Sequence, residues 1–202
     1  YQVATAALSP ADIAIPIRSV FSKNKNVEVL LGEVTSIDKD RKKIFFNDSE
    51  LDFDYLVIAT GSRHSYFGNE SWEKNAPGLK TLNDALHIRE KILLALEAAE
   101  LESDPVERQK YLNFVIIGGG PTGVELAGAI AEIVNKNLIT DFRNIDATMT
   151  KVYMIEALPK ILSSYPESLS KRARQDLEKL GVDVILNEKV TEITEKGVRV
   201  GK

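Results

Sequence analysis

The stretch "NFVIIGGGPTGVELAGAI", residues 113–130, passes from β-branched apolar residues through three glycines into an alanine-rich run. Gly118, Gly120 and Gly123 fit G-x-G-x-x-G where an expected strand meets an expected helix, the setting in which a dinucleotide pyrophosphate is held. In that pattern Gly118 permits the tight turn, Gly120 lets phosphate approach the backbone, and Gly123 lets helix and strand pack closely. Pro121 and Thr122 fall in the first helical turn, whose free amides and positive end favour an anion. A glycine turn kept only for packing is the competing reading.

Two carboxylates narrow the ligand. Glu156 ends the next expected strand, in "VYMIEALPK" (152–160), where it can accept both adenosine ribose hydroxyls and would repel a 2′-phosphate. NAD(H) is therefore expected over NADP(H). Glu156 lies 38 residues after Gly118, beyond the usual spacing of about 20, so the crossover must be long. A strand-end surface charge is the alternative. Glu125 is the single charge in the apolar first half of the helix and points to either ligand or solvent; a carboxylate favoured by the helix dipole, or a solvated stripe shared with Glu132, is the competing reading.

Outward from the turn, strand, helix and strand alternate. Residues 111–117, 151–157 and 182–186 read as strands, with helices at 122–136 and from Glu167, and an irregular stretch at 137–150. Leu169, Ala173, Leu177 and Leu180 form the apolar stripe of the second helix, which Gly181 stops. Such alternation predicts parallel strands joined by crossover helices, with a terminal hairpin, 190–200, added to the same sheet. Upstream, Thr81 and Asp84 form a capping pair for a helix in which Ala85, Ile88, Ile92, Leu96 and Ala99 share a face. Ser9 and Pro10 start a helix expected to reach residue 22. Residues 27–38 and 42–48 read as a hairpin joined by "KDRK", "FDYLVIATG" (53–61) as a buried strand, and residues 62–80 as a linking loop.

The fold class is thus α/β: a Rossmann-like nucleotide-binding domain, 81–202, and a partial second domain with its linker, 1–80, carrying a β-hairpin. The chain has 202 residues, 44% apolar and 28% charged, which suits globular structure. With 26 basic and 30 acidic residues interspersed, no basic stripe exists, and nucleic acid is not an expected partner. There is no cysteine and only His64 and His87, set apart, so no metal site is expected. No apolar run is long enough for a spanning helix. The missing initial methionine and the stop at "GVRVGK" (197–202) suggest an internal piece of a longer protein.

The segments "YQVATAALSPADIAIPIR" (1–18), "LDFDYLVIATGSRHSYFG" (51–68), "APGLKTLNDALHIREKILLALEAAE" (76–100) and "VIIGGGPTGVELAGAIAE" (115–132) strongly resemble the type II NADH:quinone oxidoreductases. These are flavoproteins of the pyridine nucleotide-disulfide oxidoreductase superfamily, and the resemblance runs along essentially the whole chain. It implies an NADH fold nested in an FAD fold, with a hydride passing from NADH to flavin and electrons on to a quinone. By that likeness Gly118, Gly120, Pro121, Thr122, Gly123 and Glu156 hold NADH, and Glu125 stands near the nicotinamide–flavin junction. Val34 meets the FAD adenine through its backbone, and Ala59, Thr60 and Gly61 lie beside that cofactor; ordinary sheet and turn packing is the alternative for all four.

The family's FAD glycine motif falls before residue 1, so FAD retention and turnover by this polypeptide alone are not expected. The resemblance places the whole protein at the cytoplasmic side of a membrane, attached peripherally through segments outside this chain, and leaves a homodimer open; the piece itself is expected to be soluble. A disulfide- or ferredoxin-reductase-type flavoprotein and a non-catalytic NADH-sensing module are the other readings.

Overall fold

The computed structural model describes residues 1–145 and 148–201, without the side chains of residues 135–140. The chain divides into two compact units, Ala11–Arg63 and Tyr1–Pro10 with His64–Lys202. The contact boundary therefore falls after Arg63. Residues 1–10 and 64–80, grouped by sequence with the partial domain, pack in the unit that carries the glycine turn.

The expected helix 10–22 is two short pieces, α1 (Pro10–Ile13) and α2 (Ile17–Val20). Pro16 is the cause: it has no amide to donate and drives the residue before it out of helical geometry. It sits before α2 at φ −61°, ψ 126°. The strands β1 (Val34–Asp38), β2 (Lys43–Phe46) and β3 (Ser49–Asp52) form an antiparallel sheet in that order. The hairpin expected over "KDRK" is there, its turn held by the Asp38 carboxylate accepting the amides of Asp40 (3.1 Å) and Arg41 (2.9 Å). Asn47 and Asp48, at φ 46° and 61°, make the two-residue turn into β3. The first strand begins only at Val34, seven residues later than the apolar run begins at Val27.

The buried strand expected at 53–61 is absent. These residues take no regular form, and Tyr55 and Val57 are 94% and 86% exposed. A buried parallel strand needs a neighbour to satisfy its amides and helices to cover its faces; past Phe53, whose amide donates to the Lys42 carbonyl at 2.9 Å, the described residues give this run no place in a sheet.

In the other unit a short 3-10 helix (Glu70–Lys74) interrupts the linking loop. Then α3 (Leu82–Leu101) buries Ala85, Ile88, Ile92, Leu96 and Ala99, the five residues that share a face by spacing. Its start is a reciprocal cap: Thr81 Oγ1 accepts the Asp84 amide at 3.1 Å, and the Asp84 carboxylate accepts the Thr81 amide at 2.7 Å. That amide donation holds the Asp84 carboxyl below its usual range. The helix α4 (Pro105–Tyr111), capped by Asp104 accepting from the Val106 amide, was not expected from spacing.

Next come β4 (Asn113–Ile117), α5 (Pro121–Asp141), β5 (Lys151–Glu156), α6 (Glu167–Lys179) and β6 (Val182–Leu186). The three strands form a parallel sheet in sequence order, Ile116 opposite Met154 and Met154 opposite Val184. Leu112, Met154, Ile161 and Val182 are almost wholly buried in its core. Residues 137–141, expected to be irregular, continue α5; residues 146–147 of that stretch lie outside the described residues. On α6, Leu177 is buried and Ala173 and Leu180 pack on the core, but Leu169 is 52% exposed. Ser170 takes the buried place instead, its hydroxyl donating to the Ile161 carbonyl at 2.7 Å.

The terminal strands β7 (Val190–Thr194) and β8 (Gly197–Val200) pair as expected, but as a separate two-stranded sheet. After Leu186 the chain turns at Asn187 (φ 60°), whose amide donates to the Leu158 carbonyl, and the Glu188 amide makes a last bond to the Glu156 carbonyl of β5 before the hairpin begins. Among the described residues no helix is long and apolar enough to cross a membrane.

Candidate dinucleotide-binding site

The site is built where the parallel sheet ends. Gly118 leaves β4 at φ +102°, a conformation that a side chain would strain, and its amide donates to the Ile155 carbonyl at 2.8 Å. The turn is thereby hung on the neighbouring strand. Pro121 opens α5, where its missing amide costs nothing, and the Val124 amide closes the first helical bond onto the Gly120 carbonyl at 3.0 Å. A Cβ on Gly123 would stand 2.0 Å from the Gly118 carbonyl oxygen. Only glycine lets α5 begin this close to the turn.

Gly120 contrasts with Gly123. A Cβ built on it meets nothing within 4 Å, so the backbone there is bare and open. Together with the first amides of α5, which have no acceptor inside the helix, this is a surface suited to an anion. Pro121 and Thr122 are exposed beside it.

Glu156 joins this turn directly, although 37 residues separate it from Gly119. Its Oε2 accepts the Gly119 amide at 2.6 Å and its Oε1 accepts the Leu158 amide at 2.8 Å. An ionised carboxylate offers about four acceptor positions, so about two remain for further donors. The long spacing from Gly118 is explained by the length of α5 and the connection to Lys151. Pairing of β4 with β5, Ile117 opposite Ile155, then brings the two strand ends side by side.

Spacing alone did not single out Gly119, Leu158, Ile161 or Leu162, all of which hold the turn. The Leu162 amide donates to the Gly119 carbonyl at 2.7 Å, and Ile161 is 1% exposed beneath it. The available signal was three glycines in succession where the fingerprint needs only the first and third.

The other predicted residues stand apart from this cluster. Glu125 is exposed on α5, one turn beyond Pro121. Val34 begins β1 opposite Phe46 and is 51% exposed; Ala59, Thr60 and Gly61 are exposed in the irregular run, Gly61 at φ +74°. These four belong to the unit Ala11–Arg63. Among the described residues no parallel strand carries them, and no second G-x-G-x-x-G occurs in the sequence. A cavity of about 840 Å³ lies along the start of β5 and the length of β6, lined among others by Lys151, Tyr153, Val182 and Ile185. It has no part in the glycine turn.

Residues 1–201 match the model of the pyridine nucleotide-disulphide oxidoreductase family. The chain is 43% identical, over 99% of its length, to the type II NADH:quinone oxidoreductase Ndh of Mycobacterium tuberculosis, of which it spans 44%. It is 34% identical, over 94% of its length, to a probable NADH dehydrogenase of Dictyostelium discoideum, again spanning 44% of that protein. Among solved structures it resembles NDH2 of Plasmodium falciparum in complex with NADH, with a TM-score of 0.87 and 28% identity over 98% of this chain and 42% of that one. The chain thus spans less than half the length of the curated relatives it matches. A fingerprint turn, its bracing carboxylate and a family match over nearly every residue converge, and the chain belongs to the pyridine nucleotide-disulphide oxidoreductase family.

Proposed function

We propose that this chain is the NADH-binding portion of an FAD-dependent NADH dehydrogenase that passes a hydride from NADH to flavin and electrons on to a quinone. The observation that carries the reading is the glycine turn with Glu156 fastened across it: an open anion surface at Gly120 and a carboxylate with spare acceptor positions, side by side. The pyrophosphate lies on the Gly120 backbone and the first amides of α5, and Glu156 accepts the ribose hydroxyls. A 2′-phosphate would face that carboxylate, which favours NADH over NADPH. The acceptor, a quinone, is carried over from the similar type II enzymes.

In the whole protein the hydride chemistry belongs to the cofactors, and this chain's residues bind and orient. Glu125, exposed on α5, is assigned an electrostatic or proton-delivering part at the nicotinamide end. Val34, Ala59, Thr60 and Gly61 are assigned to the flavin side of the whole protein. Peripheral membrane contact is likewise assigned to segments beyond this chain.

The test uses both lengths of protein. The 202-residue chain is expected to bind NADH more tightly than NADPH in a fluorescence titration. The full-length protein is expected to purify yellow and to bleach on addition of NADH. A colourless full-length protein that binds NADH would make the module a sensor, and a chain that binds neither nucleotide would end the reading.

A further inference from the structure

Gly119 is the one glycine of the run 118–120 that the fingerprint does not require, yet it is the most constrained. It is buried, and both of its backbone groups are engaged across the turn: the amide donates to Glu156 Oε2 at 2.6 Å, and the carbonyl accepts the Leu162 amide at 2.7 Å. Residues 156–162 are thus hooked onto the turn at two points. The hook at Leu162 holds a leucine at φ +49°, in the left-handed region that a branched side chain disfavours.

A side chain at 119 has nowhere to go. Its Cβ would lie 2.7 Å from Ile161 Cγ2, and 3.1 Å from both Ile161 Cβ and Glu156 Oε2. Ile161 cannot easily yield. It is 1% exposed, its Cγ2 is fixed to a branched Cβ, and its carbonyl accepts the Ser170 hydroxyl from α6 at 2.7 Å. Relief has to come from a local shift between the Gly119 peptide and residues 156–162, which stretches the Gly119–Glu156 hydrogen bond.

Resting on the NADH reading above, we propose that Gly119 is a positioning residue that determines ribose recognition: its amide and its missing side chain together fix the Glu156 carboxylate where adenosine hydroxyls are accepted. Without it Glu156 retains its charge and the Leu158 amide on Oε1 but loses the second of the two holds that fix its orientation. Pyrophosphate binding, which uses Gly120 and the helix amides, is separate from this device. Disturbing Gly119 therefore costs discrimination of the ribose rather than all nucleotide affinity.

The experiment measures binding of ADP and of 2′-deoxy-ADP by the 202-residue chain, with thermal unfolding as a control. The wild type is expected to prefer ADP by about tenfold, the worth of one hydrogen bond to a charged group. In Gly119→Ala that ratio is expected to fall to about one to threefold, with 2′-deoxy-ADP binding changed by less than about threefold. Retention of the wild-type ratio in a folded Gly119→Ala would overturn the proposal while leaving the NADH reading intact. Failure of the wild type to bind ADP or NADH would instead remove the underlying reading. A measurement independent of that variant is amide hydrogen exchange at Gly119, expected to be at least about tenfold faster in Glu156→Ala than in wild type. Equal exchange would show that the carboxylate does not hold that amide, and the proposal would fall.

Discussion

Two apolar runs in this chain end in a glycine, and the structure treats them oppositely. Residues 113–117 form β4, paired with β5 and covered by α5, and lead into Gly118 at φ +102°. Residues 53–60 lead into Gly61 at φ +74° but form no strand, and Ile58 and Val57 are 65% and 86% exposed. By composition the second run is as good a strand as the first. What differs is the partner: β4 finds β5 through a crossover inside its own unit, whereas the run at 53–60 is tied only at its first residue, where the Phe53 amide donates to the Lys42 carbonyl at 2.9 Å, and joins no sheet among the described residues. Strand formation is a property of the pair, and a β-rich run records only readiness for one.

The comparison can be broken most forcefully at the glycines. Gly123→Ala pushes a methyl group to within 2.0 Å of the Gly118 carbonyl, a backbone atom that cannot swing aside. It is expected to destabilise the chain by at least about 3 kcal/mol and to abolish NADH binding, read by thermal unfolding and titration. At Gly61, where a Cβ meets nothing within 4 Å, Ala is expected to cost only about 1–2 kcal/mol, from its backbone angle alone.

A matched pair of core deletions sharpens the same contrast. Ile116→Ala, at a residue 7% exposed, should lose about 3 kcal/mol in a denaturant melt, whereas Ile58→Ala should change stability by less than about 0.5 kcal/mol. Equal losses would mean that residues 53–60 are packed after all.

A third difference is the carboxylate that meets only the first run. Glu156→Ala is expected to weaken NADH binding by about ten- to a hundredfold and to erase the preference over NADPH, as measured by parallel titrations. An unchanged NADH-to-NADPH ratio would leave Glu156 as a brace of the turn and nothing more.

The smallest expected effect comes from a feature that depends on neither run, the Thr81–Asp84 cap of α3. Asp84 has its carboxyl lowered by the Thr81 amide, so its contribution is present above the unfolded value of 3.8 and is lost as pH falls through the lower folded value. Wild type should therefore lose stability between about pH 5 and pH 2 more steeply than Asp84→Asn, by a difference visible in the melting temperature. Parallel slopes would remove the cap from the acid response.

Legibility followed the range of the forces involved. The α3 face, its cap and the β4–β5–β6 alternation were readable because each is set by neighbours within a few residues. A local signal was also present for α4, in Asp104 followed by Pro105 at the first helical position, though no long apolar period advertised it. The early helix failed at Pro16 for an equally local reason. Leu169 misled because a stripe drawn from residue type cannot know that Ser170 would bury its hydroxyl against Ile161. The hairpin β7–β8 was readable as a pair but not in its placement, since whether a ladder continues past Leu186 depends on where the Asn187 amide finds its acceptor.

The amino-acid sequence by itself determined the glycine turn, the helix that follows it and the candidate ligand class, because positive φ, missing side chains and free helix amides are properties of consecutive residues. Tertiary structure alone decided that Glu156 reaches the turn, that Gly119 is the residue it holds, and that residues 54–60 remain outside any sheet. Those outcomes depend on hydrogen bonds between groups far apart in the chain, and only the alignment of β4 with β5 brings Gly119 and Glu156 within 2.6 Å.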